Sequence, residues 1–263
     1  MVSTENLVSY YKLDESSGNA IDSHGSNDLA NSANQNVAGI INTGYYTYTS
    51  PPLASGQCSG ATSGLPAGDT DFSVNFWAHH DSVGANRHMV GWQDVNDNNR
   101  IQMWVDGSVY FFRSEDVMQG WSTGVTPGTN SYEMVTWTYD STTNYITLYV
   151  SGAFAASSAI TYTGTAGSNL SLFKNSAGNY PYLGFLDELS IWTGRVLTSS
   201  EISDLYNGGA GLSYDSLTSN TNLQVNVDDT FKSVAALKVN VDDAWKEVTA
   251  AKVNVDDAWK SIF

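Results

Sequence analysis

Asp187 and Glu188 adjoin in the string GFLDELSIW, and a carboxylate pair is the feature of this chain closest to acid–base machinery. A pair that hydrolyses a glycosidic bond holds its carboxyls roughly 5–9 Å apart across a shared cleft. Neighbours on a strand point to opposite faces, so this pair is expected to diverge rather than flank one bond. His79 and His80 in FWAHHD meet the same objection as zinc ligands, because a zinc site needs several ligands converging on one point. They are expected at a solvent-facing strand end. Asp94, Asn96, Asp97, Asn98 and Asn99 form a polar loop with oxygens for a cation or a sugar hydroxyl, and it reads as a solvated hairpin tip. No histidine sits in a recognisable triad context for a serine nucleophile, and glycine-rich phosphate loops are absent from the string. The chain is therefore expected not to be an enzyme.

Charge narrows the partners. The 263 residues carry a formal net charge of -16. Residues 211–263 hold 5 Lys against 8 Asp and Glu, which leaves 6 basic and 19 acidic residues before them, a net of -13 (6 minus 19). Such a surface repels nucleic acid and favours cations, with Ca²⁺ the natural partner of carboxylates. Cys58 is the single cysteine, so no intrachain disulfide forms. The N-terminus MVSTENLVSYYKL lacks the basic and apolar regions of a signal peptide, and no apolar run is long enough for membrane insertion. A soluble chain that its own N-terminus does not send through the general secretion route is expected.

Short period-2 runs must position these groups. They are Ser73–Trp77, Arg100–Val105, Ser108–Phe112, Glu133–Tyr139 and Tyr145–Val150. Each alternates aromatic or β-branched residues with polar ones, the pattern of strands with one buried face. Asp106-Gly107 and Ser151-Gly152 mark tight turns. The spacing predicts an all-β fold, a two-sheet antiparallel jelly-roll sandwich. One short edge helix is predicted over Leu197–Tyr206, with a capping box at Thr198 or Ser199 and Glu201, and a stop at Asn207-Gly208-Gly209. Among the aromatics, Tyr45, Tyr46, Tyr48, Trp92 and Trp121 fall in expected loops, and of these Tyr46, Trp92 and Trp121 are the candidates for stacking on a sugar.

The end of the chain repeats with a period of 14: LQVNVDDTFKSVAA, LKVNVDDAWKEVTA and AKVNVDDAWKSIF. Each unit reads as a β-hairpin, so the prediction adds a C-terminal hairpin-repeat domain to the sandwich. With a two-residue turn, Lys238 lies opposite Glu247. An isolated hairpin is marginal in water, so these units are expected to pack on one another, on sister chains or on a host assembly. Val239, Val241, Trp245, Val253, Val255 and Trp259 are the residues expected to oligomerise or dock the chain. The domains are expected at 1–212 (sandwich), 213–222 (linker) and 223–263 (three repeats).

Two segments together, Leu7–Ala30 (LVSYYKLDESSGNAIDSHGSNDLA) and Tyr182–Gly209 (YLGFLDELSIWTGRVLTSSEISDLYNGG), resemble the opening and closing of laminin G-like, concanavalin A-like jelly-roll domains. The resemblance covers about residues 5–212. Some enzymes of that superfamily carry Glu-x-Asp-x-x-Glu on a strand, and no such string occurs here. Many members hold a structural Ca²⁺, and the resemblance places its ligands at Asp22, Asn27 and Asp187. Where the family often has Leu-Tyr-Val-Asp-Gly, this chain has Leu148-Tyr149-Val150-Ser151-Gly152, without the turn carboxylate. The repeats resemble short repeats of bacteriophage structural proteins. That likeness implies a virion surface protein, a fibre or decoration, made in the host cytoplasm. Its jelly roll would meet a surface glycan, and its tail would form a homo-oligomer, a trimer first of all, or bind other virion proteins. A purely structural virion protein without ligand and a secreted, extracellular bacterial carbohydrate-binding module are the alternatives.

Overall fold

A computed structural model of the chain describes all residues except 1, 33–34, 48–55, 85, 94–100, 115–118, 161–168, 176, 218–223, 228–229, 234–237, 242–243, 248–251, 256–257 and 262–263. The polar loop at 94–99 and Tyr48 thus lie outside the described residues. For Gln35, Gln119 and the strands after residue 223, the backbone alone is described.

The strands are β1 (Leu7–Tyr11), β2 (Ala30–Ser32), β3 (Gln35–Ala38), β4 (Thr43–Thr47), β5 (Gln57–Ala61), β6 (Phe72–His80), β7 (Arg87–Gln93) and β8 (Ile101–Asp106). They continue as β9 (Val109–Ser114), β10 (Gln119–Ser122), β11 (Tyr132–Asp140), β12 (Tyr145–Val150), β13 (Ala153–Ala159), β14 (Asn169–Leu172) and β15 (Gly184–Thr193), and α1 (Ser199–Tyr206) follows. All pair antiparallel in two sheets. The first runs β13-β12-β11-β6-β15-β4-β3, with β1 also on β15, and the second runs β10-β9-β8-β7-β14-β5-β2. This is the expected jelly-roll-type sandwich.

Alternation decides which side chains meet between the sheets. From β6 come Phe72, Val74, Phe76 and Ala78; from β8 Ile101, Met103 and Val105; from β11 Val135, Trp137 and Tyr139. All are buried in one core, and removing each such side chain from water contributes about 1.5–3 kcal/mol. The β8–β9 turn is Gly107-Ser108, with φ of 59° and 71°, between the paired Asp106 and Val109. That is one residue later than the Asp-Gly reading, because Asp106 stays in the ladder and Gly107 supplies the first positive φ.

On the outer side of the first sheet, α1 forms a second core. Thr198 Oγ1 accepts from Glu201 N–H, the Glu201 side chain accepts from Thr198 N–H, and Asn207 closes the helix at φ 47°. Ile202 and Leu205 pack with Trp77, Met134 and Trp192. The sandwich does not stop at 212 as the sequence suggested. A 3₁₀ turn at Tyr214–Ser216 brings the Tyr214 ring within 5.0 Å of the Tyr10 ring, and Leu217 is buried in the same cluster. Apolar residues in a Ser/Asn-rich stretch supply that anchor, so residues 213–217 are not linker.

The chain divides into two units: Met1–Val2 with Asn6–Leu217, and Ser3–Glu5 with Thr218–Phe263. The second contains three hairpins, β16 (Gln224–Val227) with β17 (Thr230–Ser233), β18 (Lys238–Val241) with β19 (Ala244–Glu247), and β20 (Lys252–Val255) with β21 (Ala258–Ser261). Their registers correspond, with Asn226 opposite Phe231, Asn240 opposite Trp245 and Asn254 opposite Trp259. Lys238 stands opposite Glu247, the register expected from a two-residue turn. Among the described residues, no helix is long and apolar enough to cross a membrane.

Candidate functional site

The Asp187-Glu188 pair departs from the sequence expectation. Asp187 pairs with Trp77 but Ser190 pairs with Asn75, so β15 carries an extra residue in a bulge, and Glu188 takes φ 50°. Leu186 and Leu189 both face the inner core. The two residues between them therefore both turn to the outer face, a reversal that a β-bulge permits. Asp187 Oδ2 accepts the N–H groups of Ile40 (2.8 Å) and Ile41 (3.3 Å), and Tyr10 Oη donates to Glu188 Oε2. Gly39 makes room, since a Cβ there would lie 2.5 Å from Asp187 Oδ2 and 2.8 Å from Thr43 C. The pair thus fastens the β3–β4 turn and β1 to β15. Asp187 Oδ1 and Glu188 Oε1 are buried without a hydrogen-bond partner. Burial, and then the charge of Glu188, push the Asp187 carboxyl up to about 8. Burial pushes Glu188 up to about 7 against the lowering bond from Tyr10. With relative exposures of 0% and 2%, the pair offers no face to a substrate.

The calcium set of Asp22, Asn27 and Asp187 does not fit an ion. Asp22 Oδ1 accepts the N–H groups of Tyr10, His24 and Gly25, and Oδ2 accepts that of Asn27. Asn27 is spent on Ser9 Oγ and on the backbone and hydroxyl of Ser63. β1 also intervenes: Tyr10 turns its N–H and C=O toward Asp22 and Ser23, while Ser190 of β15 is its partner on the other side. Ca²⁺ needs six to eight oxygens around one point, and these carboxylates serve amides on opposite sides of a strand. Among the described residues no group of three His, Cys, Asp or Glu side chains converges for a metal. The melting temperature is expected to be the same in EDTA and in excess CaCl₂ within about 1 °C, since only a ligand that binds the folded state raises it. Differential scanning fluorimetry checks this, and a rise with calcium would restore the ion.

His80 and His88 are buried, and His79 is not. His79 faces outward beside Asp81 (3.2 Å), and His80 is buried between the sheets. The solvent-facing expectation fails for His80 because β6 continues three residues past Trp77, where SVNFW ends, and alternation turns His80 inward. Tyr110 Oη lies 3.0 Å from His80 Nε2 and gives its one proton to Glu133 (2.8 Å), so Nε2 is the donor to it. Tyr182 Oη faces Nδ1 at 3.0 Å. Burial, then His79, hold the His80 imidazole neutral, down to about 3. His88 Nε2 lies 3.3 Å from Ser171 Oγ, but that hydroxyl donates to Gly91 O, Ser171 is 1% exposed, and His88 Nδ1 has no partner to orient it. This is a packed pair without the third member that activates a nucleophile.

The sugar-stacking candidates also part company. Trp92 lies in β7 rather than in a loop, and it is 0% exposed in the inner core, edge-on to Phe72. Trp121 lies in β10, packs on that core and stands edge-on to Trp137. Tyr46 lies in β4, leans on Phe185 and donates to Asp81. The structure does not bring these three to one surface.

The outer face of the second sheet gathers a different set. Because Ile101, Met103 and Val105 point inward, Gln102, Trp104 and Asp106 point outward; Tyr110 and Phe112 inward likewise put Phe111 and Arg113 outward. Trp104 meets Tyr180 with ring centroids 4.9 Å apart, and the Arg113 guanidinium carbon is 5.9 Å from the Trp104 ring. Tyr180 is 40% exposed and holds φ 58°, a conformation costly for a non-glycine residue. Two bonds hold it there, His88 N–H to Tyr180 O (2.9 Å) and Arg87 Nη1 to Pro181 O (3.1 Å). Beside this stack opens a pocket of about 230 Å³ lined by Asn86, Trp104, Asp106, Phe111, Arg113 and Gly120. Gly120 is bare for a reason: a Cβ would lie 2.1 Å from Phe111 Cζ, so the glycine lets that ring cross β10. Trp104 itself is only 4% exposed, so the Tyr180 ring it backs is the available aromatic face; such a face beside a few fixed polar groups suits a sugar ring, whose C–H face stacks while its hydroxyls bond at the rim. The alternation of β8 was legible in the sequence; the approach of Tyr180, 76 residues later, was not.

The fold is that of a concanavalin A-like jelly roll. The chain belongs to the concanavalin A-like lectin/glucanases superfamily, whose laminin G-type family profile matches residues 42–203. Comparison with curated protein sequences finds no match. Among solved structures, domain 4 of AbnA, a GH43 extracellular arabinanase from Geobacillus stearothermophilus, in complex with arabinotriose, is similar at 18% identity. The match covers 76% of this chain and 97% of that one, with TM-score 0.59. The binding domain of Paraclostridial Mosquitocidal Protein 1 matches at 17% identity over 78% of this chain, TM-score 0.61. The receptor binding domain of botulinum neurotoxin D matches at 14% over 78%, TM-score 0.61. This chain spans 53% of the length of each of these two toxin domains.

Proposed function

We propose that this chain is a non-enzymatic glycan-binding protein that takes its sugar on the outer face of the second sheet. The carrying observation is the Trp104–Tyr180 pair beside the pocket formed with Asn86, Asp106 and Arg113. The similar arabinanase domain was solved with arabinotriose, which supports a sugar-binding use of the fold. Tyr180 provides the test, because it is half-exposed and outside the core. Tyr180→Ala is expected to weaken glycan binding about tenfold, the range for one stacked ring, with the melting temperature nearly unchanged. Glycan-array screening followed by calorimetry on the best hit checks this. Equal affinity in the variant would move the site elsewhere.

We assign the repeats an attaching role, and with it a place on a virion surface as a homo-oligomer, a trimer first of all, or in contact with other virion proteins. The support is the matched register of three hairpins with Val239, Val241, Val253 and Val255 on first strands and Trp245 and Trp259 on second strands. Small hairpins gain stability by packing on company. Deleting residues 223–263 is expected to leave a folded, monomeric sandwich, read by light scattering and circular dichroism; an unchanged mass would remove the assembling role from the repeats. A secreted carbohydrate-binding module is the second reading, favoured by the near-complete overlap with an extracellular arabinanase domain.

A further inference from the structure

Charge divides between the two sheets. The strands of the first sheet carry Glu133, Asp140, Asp187 and Glu188 and neither Lys nor Arg. The strands of the second carry Arg87 and Arg113 against one acid, Asp106. Of the other described cations of the sandwich, Lys12 pairs with Asp215 and Arg195 with Glu201, both beside the first sheet, whereas Lys174 follows β14 of the second. In a chain of net charge -16, the strands of the second sheet thus carry two cations against one acid, the reverse of the first sheet's strands.

We propose that the pocket beside Trp104 accepts a carboxylate-bearing sugar, with Arg113 taking the carboxylate and Tyr180, backed by the buried Trp104, taking the ring. The assignment rests on the reading of this face as the glycan site. Arg113 is the charged group that both lines the pocket and meets the Trp104 ring. A guanidinium offers a planar fork that matches a carboxylate with two parallel bonds. Asp106 lines the same pocket, and its Oδ1 accepts the Asn86 N–H (3.3 Å). It therefore suits sugar hydroxyls, which donate, at the end away from the carboxylate. Arg87 acts differently: it holds the Pro181 carbonyl and so positions Tyr180.

The test uses the full chain and two matched pairs of sugars: 3′-sialyllactose against lactose, and a glucuronate-ended disaccharide against its glucose-ended counterpart. The arms separate sialic from uronic acids as the source of the carboxylate. The charged member of at least one pair is expected to bind about tenfold more tightly. That margin is expected to shrink as NaCl rises from about 50 mM to about 0.5 M. Arg113→Gln is expected to abolish the margin and Arg113→Lys to keep part of it. Should either variant fold poorly, the pair comparison and its salt dependence on the native chain decide the matter. Equal or tighter binding of the neutral member in both pairs would overturn the acidic-sugar assignment and leave the glycan site standing. Binding of no sugar of either kind would overturn both.

Discussion

Trp92→Ala should lower the unfolding free energy by about 3–5 kcal/mol, the range for emptying an indole's place in a packed core. Trp92 is fully buried, edge-on to Phe72 at 5.8 Å, on a strand paired with both β8 and β14. Its neighbours are held by two ladders and cannot collapse far into the void. A loss of that size is a large share of the stability of a single domain. Urea titration followed by fluorescence reads it directly. Sugar affinity per folded molecule should be unchanged, because Trp104 and Tyr180 lie on the other side of the same sheet. A variant that melted normally but lost sugar would return Trp92 to the binding surface.

The second large effect is a pH dependence set by the buried pair on β15. Both carboxyls are raised in the folded state, Asp187 from 3.8 to about 8 and Glu188 from 4.5 to about 7, chiefly by burial. A raised acid binds its proton more tightly when folded, so its contribution is complete below about pH 4 and is lost as pH climbs through 7 to 8. Each unit of difference corresponds to about 1.4 kcal/mol, and for two neighbouring groups the combined loss is on the order of a few kcal/mol. Asp187→Asn isolates it. The amide keeps an oxygen for the Ile40 and Ile41 N–H groups and carries no charge. The variant should match the native protein near pH 4 and exceed it increasingly toward pH 8. A gap that stayed constant across that range would show that Asp187 holds no excess proton.

The same residues show where the sequence was readable. Strict alternation in EMVTWTY and YITLYV gave strands, and these became β11 and β12 with their inward residues in the core. Thr198 and Glu201 gave the capping box of α1, because a cap is a local hydrogen-bond pattern three residues long. The bulge at Glu188 was hidden for the opposite reason. Nothing in GFLDELSIW marks an extra residue, which is defined only against the partner strand β6. Reading the pair as opposed across the sheet followed from perfect alternation, and one positive φ undid it.

The sugar face follows the same division. Trp104 was legible as a strand residue with a partner face, but Trp92 has the same local signature and lies in the core. A one-residue shift in β7 between His88 and Val90 changes the phase of that strand, and the phase decides which indole enters the core between the sheets.

From its residues alone, this chain determined its two antiparallel sheets, its edge helix and the three-fold repetition at its end, because strand period, helix capping and repeat length are written in spacings of a few positions. Only the tertiary structure decided that Asp187 and Glu188 share a face, that Asp22 answers backbone amides, and that Tyr180 stacks on Trp104. Those outcomes depend on register between strands far apart in the chain, and a shift of one position in register exchanges inside for outside.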